Sequence, residues 1–76
     1  MPENTLNNQE LSRLAQNIAA WAHEAGVTLR ELAEQTGVPY AYLAQADQGM
    51  IPDRITLLHL TAISQYFGRE LHELFR

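Results

Sequence analysis

Seventy-six residues, 46% of them hydrophobic, allow one domain with one small core, and an all-helical bundle is the economical way to build it. The absence of cysteine excludes a disulfide framework and a thiolate metal site, and no apolar run approaches the length of a membrane span. Five basic against nine acidic residues give a net charge of −4, and every basic residue is an arginine. That balance disfavours nonspecific capture of phosphate backbones, but leaves open local binding through helix N-termini and neutral polar side chains.

The first residues have neither the basic nor the apolar region of a leader, so a soluble cytoplasmic protein is expected. Residues 1–5 read as a flexible tail. The first helix should open across residues 6–10, where Asn7 can cap, Glu10 follows three residues on, and Leu6 and Leu11 are spaced for a hydrophobic staple. Leu11, Leu14, Ile18, Trp21, Ala22 and Ala25 then recur at helical steps until Gly26. Trp21, the largest apolar side chain, reads as a core anchor.

Residues 28–49 are the stretch around which the chain is organised. Thr28 with Glu31 forms a capping box, and Val27 with Leu32 a staple, so a helix start is specified twice. Leu29, Leu32 and Ala33 share one face, and Gly37 stands where the chain must turn with positive φ. Pro39 suits the first turn of a second helix that meets no breaker before Gly49. Two helices joined this tightly make a helix-turn-helix.

A loop over residues 48–53 follows, with Asp53 as the expected N-cap of a helix carrying Ile55, Leu58, Leu60, Ala62, Ile63, Tyr66 and Phe67 and stopping at Gly68. A short helix over residues 69–75 should close the bundle through Leu71, Leu74 and Phe75. Arg30 with Glu34, Arg69 with Glu73, and Arg13 with Glu10 are spaced as surface ion pairs, each worth a few tenths of a kcal/mol.

Leu32-Ala33, Gly37-Val38, Leu43 and Asp47-x-Gly49, at these spacings, resemble the Cro and phage-repressor (XRE-type) helix-turn-helix family. Pro52, the helix after it and Leu71-x-x-Leu74-Phe75 extend the resemblance over most of the chain. It implies an all-α fold, a compact bundle of about five short helices containing a helix-turn-helix, that is, a lambda-repressor-like DNA-binding domain. Residues 1–76 are read as that single domain. The helix after Gly49 should be about one turn longer than its family counterpart, since the distance to the terminal Leu-x-x-Leu is longer.

In the family the second helix of the motif enters the major groove. Carried over, the base-reading places hold Tyr40, Ala41, Ala44 and Gln45, with Thr28, Arg30, Tyr42 and Arg54 at phosphates. Gln45 can pair bidentately with an adenine edge, or stand as an ordinary solvated residue. Tyr40 and Tyr42 can serve DNA, fold onto the core around Leu43, or anchor a protein partner. Two family contacts are absent: Leu29 stands where a Gln commonly clamps phosphate, and Ala22 where an Arg often pairs with the acid matching Asp47. Met50 and Ile51 add an apolar loop beside the motif, which with Leu74 and Phe75 forms a candidate protein-contact patch.

The expected function is a sequence-specific transcriptional regulator binding a double-stranded DNA operator as a homodimer. Its rival is a helix-turn-helix domain repurposed for protein binding through Tyr40, Tyr42, Met50 and Ile51, as an antirepressor, adaptor or inhibitor of another regulator. His23, His59 and His72 lack metal-ligand spacing, and no phosphate loop or nucleophile elbow occurs, so no enzyme, metal, cofactor or membrane association is expected.

Overall fold

The computed structural model describes residues 8–76. The chain forms α1 (Asn8–Ala25), α2 (Leu29–Thr36), α3 (Tyr40–Asp47), α4 (Leu57–Tyr66) and a terminal 3-10 helix (Leu71–Phe75), with no strand among the described residues. The expected all-α bundle is therefore present with four α-helices, its fifth element being a single 3-10 stretch. The tail at residues 1–5, the Asn7 cap and the Leu6 end of the staple lie outside the described residues.

Helix boundaries follow local chemistry. At the end of α1, Val27 N–H donates to the Ala22 carbonyl at 3.0 Å and Gly26 N–H to that of His23 at 3.2 Å, a Schellman closure. Thr28 caps α2, its hydroxyl accepting from Glu31 N–H at 3.0 Å. Only this half of the expected capping box forms; Glu31 makes no return bond to the cap. Gly37 ends α2 at φ 79°, with its N–H donating to the Ala33 carbonyl at 2.9 Å. Thr36 braces this turn, donating its hydroxyl to the Leu32 carbonyl at 2.6 Å and accepting from Val38 N–H at 3.2 Å. Pro39 stands one residue outside α3, as its N-cap, rather than within the first turn.

The start of α4 differs from expectation. Ile55 N–H donates to the Pro52 carbonyl at 3.2 Å, so Asp53 and Arg54 occupy the tip of a turn instead of opening a helix. Thr56 is the cap. Its hydroxyl accepts from His59 N–H at 3.3 Å, while His59 Nδ1 accepts from Thr56 N–H at 3.0 Å. The extra chain length thus lies in a loop over residues 50–56 and not in an added helical turn, and Arg54 is not in a helix.

The core runs through Leu14, Ile18, Trp21, Leu32, Val38, Leu43, Leu60, Ile63 and Leu74. Full burial of each large aliphatic among them is worth about 1.5–3 kcal/mol. Trp21 is the anchor expected, edge-on to Phe67 at 5.8 Å between ring centroids. Packing joins α1 to α3 and the 3-10 helix, α2 to α3 and α4, and α4 to the 3-10 helix. Asn17 Nδ2 seals the far end by donating to the Leu74 carbonyl at 2.7 Å. No described helix is long and apolar enough to cross a membrane.

Candidate nucleic-acid interface

The interface is built on α3, which is held from below and open above. Leu43 and Ala46 are its buried positions, and Val38 just ahead of it is also buried. This fixes Tyr40 and Ala41 outward at the first turn, with Tyr40 51% exposed. No side chain caps α3, so its first N–H groups are not claimed by a cap. Ala44 and Gln45 are half-buried along the helix flank. The Gln45 carbonyl accepts from Gln48 N–H at 3.0 Å and Met50 N–H at 2.9 Å, which fixes the backbone beneath its side chain.

The two tyrosines part company. Tyr42 is half-buried against the core, edge-on to the His59 ring at 5.5 Å, so it joins α3 to the start of α4. Tyr40 faces solvent, and the Arg30 guanidinium lies over its ring at 5.9 Å from the centroid. Arg30 adopts this stack rather than the expected ion pair with Glu34, which does not form. A guanidinium is weakly hydrated and stacks readily on aromatic faces, and here it keeps its charge uncompensated by a carboxylate. Thr28, exposed at the start of α2, uses its oxygen as an acceptor and retains a hydroxyl proton to donate.

Asp47 has a partner that sequence spacing does not reveal. His23 at the end of α1 brings Nε2 to 3.6 Å from Asp47 Oδ1, joining two elements 24 residues apart. Arg69 makes the expected contact with Glu73 at 3.7 Å, reaches Glu24 at 3.5 Å and covers Trp21 at 4.6 Å. It is thereby committed to the bundle's outside wall.

The predicted apolar patch is rearranged. Leu74 is fully buried and is not a surface residue, while Phe75 beside it is exposed. Ile51 is half-buried against the core and Met50 remains 58% exposed. Leu58, expected among the buried residues of its helix, is 80% exposed, and its neighbour Leu57 is 63% exposed.

These features define a small helical domain carrying a helix-turn-helix whose second helix presents its first turn to solvent. Neither a protein-family model nor a curated protein matches the sequence. The crystal structure of a hypothetical transcription factor, NHTF, from Neisseria is similar, with a TM-score of 0.76 over 100% of this chain and 86% of that one. At 21% sequence identity the likeness is one of fold.

Proposed function

We propose that the protein is a sequence-specific DNA-binding transcriptional regulator of the Cro and repressor type, laying α3 in the major groove and acting as a homodimer on a two-fold operator. It is a binding protein and not an enzyme. The observation that carries this reading is the open first turn of α3, uncapped and exposed, with Arg30 stacked on Tyr40 beside it. An arginine free of carboxylates is in the state that meets a phosphate, and a neutral helix start can approach bases without repulsion. In this arrangement Gln45 reads an adenine edge, Tyr40, Ala41 and Ala44 contact neighbouring base edges, and Thr28, Arg30, Tyr42 and Arg54 take phosphates. The fold shared with a protein described as a hypothetical transcription factor supports the same reading.

The test is fluorescence anisotropy on a duplex from upstream of the gene, with nonspecific competitor. A dimer using Arg30 and Arg54 from each copy should show a slope of log K against log salt of about −3.6, from four phosphates at roughly 0.9 each. Gln45→Ala and Tyr40→Ala should each weaken operator binding about 10- to 100-fold. Unchanged affinity in both variants would remove α3 from the interface. A second reading, an antirepressor, adaptor or inhibitor that binds protein, draws on the exposure of Met50 and the acidic balance of the chain. It predicts complex formation that barely responds to salt.

A further inference from the structure

The cap of α4 is completed by a titratable side chain. A capping box ordinarily has Glu or Gln at its third helical position, and here that position holds His59. Its Nδ1 accepts from Thr56 N–H at 3.0 Å, while Thr56 Oγ1 accepts from His59 N–H at 3.3 Å. An imidazole nitrogen that accepts carries no proton, so this bond requires the neutral ring with its proton on Nε2. The same ring stands edge-on to Tyr42 of α3, at 5.5 Å between centroids. One half-buried side chain thus caps α4 and meets α3.

Uptake of a proton undoes this arrangement. Nδ1 becomes a donor and faces another donor, Thr56 N–H. Thr56 Oγ1, 3.2 Å from the same nitrogen, can receive the new proton, but Thr56 N–H then loses its acceptor to water. The imidazolium also lies in the first turn of α4, where the helix dipole repels positive charge. α4 itself carries no Asp, Glu, Lys or Arg. Of the elements packed on it, α2 bears Arg30, Glu31 and Glu34, and the 3-10 helix bears His72 and Glu73. Asp53 and Arg54 lie in the turn before the cap, and Asp47 of α3 is taken by His23. Among the described residues, none of these forms an ion pair or hydrogen bond with the His59 ring. The box therefore contributes to stability while the ring is neutral and ceases to as pH falls and the ring is charged.

We infer that His59 is a positioning residue for Tyr42 and makes the joint between α3 and α4 sensitive to protons. Neutral, it holds both the α4 cap and the Tyr42 ring; protonated, it releases Thr56 N–H, loosens its hold on Tyr42 and weakens operator binding. The effect on binding rests on the proposed phosphate contact of Tyr42, whereas the joint itself is measurable without DNA.

Thermal denaturation of the full chain and of its His59→Gln variant, at about pH 8 and about pH 5.5, reads the joint alone. Glutamine is an ordinary capping-box residue that keeps an acceptor for Thr56 N–H and takes up no proton. Between the higher and the lower pH, the wild-type Tm should fall about 4–8 °C more than that of the variant. His23, beside Asp47, and His72 are present in both proteins, so the difference belongs to His59. Anisotropy on the upstream duplex at the same two pH values should show wild-type affinity falling about 5- to 30-fold more than the variant's, summed over two half-sites. In a Tyr42→Phe background, which keeps the ring and drops the hydroxyl, the melting difference should remain and the binding difference should largely vanish. Equal melting shifts in wild type and His59→Gln would overturn the inference. So would a wild-type affinity that holds or rises at the lower pH relative to the variant's, or a binding difference unchanged by Tyr42→Phe. Failure to bind the duplex at either pH, with the melting difference intact, would count against the proposed function and support the proton-sensitive joint.

Discussion

Thr28 can be made to separate the two roles assigned to it, capping α2 and donating to a phosphate. Its hydroxyl oxygen accepts from Glu31 N–H at 3.0 Å, so Thr28→Ala removes one cap bond and should cost about 1 kcal/mol. Over 76 residues, about 2.1 cal/mol/K each gives an unfolding entropy near 160 cal/mol/K, so Tm should fall by about 6 °C. Aspartate caps as well as threonine, and Thr28→Asp should keep the wild-type Tm within about 2 °C. On DNA the outcomes invert. The carboxylate can donate nothing and repels phosphate, losing about 1.5 kcal/mol at each half-site, or about 100-fold in affinity for a two-fold operator. Thermal denaturation and anisotropy at low salt, on all three proteins, read both quantities. A Thr28→Asp protein that melts and binds like wild type would refute the phosphate contact. One that melts as early as Thr28→Ala would refute the capping argument.

Leu74→Ala should cost about 2–5 kcal/mol, a large fall in the chemical denaturation midpoint, whereas Phe75→Ala beside it should shift that midpoint much less. Equal effects would contradict the burial that separates them. At Gly37, φ is 79° and an added Cβ would meet no atom, so Gly37→Ala carries only backbone strain. The net cost after the loss of unfolded-state freedom is about 1 kcal/mol by denaturant titration, with the melted product regaining the wild-type fold on cooling.

Where sequence signals are local, they located structure well. The Thr28 cap and the Gly37 turn bound α2 where a side-chain hydroxyl and a missing Cβ require, and the Trp21 stripe lies on the core as its spacing demands. The start of α4 was obscured because two residues compete to cap it. Asp53 is the better capping type by composition, yet the Pro52 turn engages it, and Thr56 prevails through a box completed by histidine in place of the usual Glu or Gln. Moving that boundary places Leu58 on the solvent side. The terminal residues were misread for a related reason: in a 3-10 helix, positions three apart align, so Leu71 and Leu74 share the inward face and Phe75 does not. The site's polar partnerships were illegible because they are tertiary. His23 meets Asp47, and Tyr42 meets His59, only once three helices have docked.

The bond from Asn17 to the Leu74 carbonyl joins residues 57 positions apart, and it closes the face of α1 that α3 leaves open. During synthesis, α1 emerges first and its apolar stripe must wait for nearly the last residues of this stretch before that face is covered. The helix-turn-helix between them can form its local turns early, but it has no finished floor to stand on until then. Maturation of the domain is therefore timed by the arrival of Leu74, and a nascent chain halted before that residue leaves the part of α1 that the 3-10 helix covers open to any chaperone within reach.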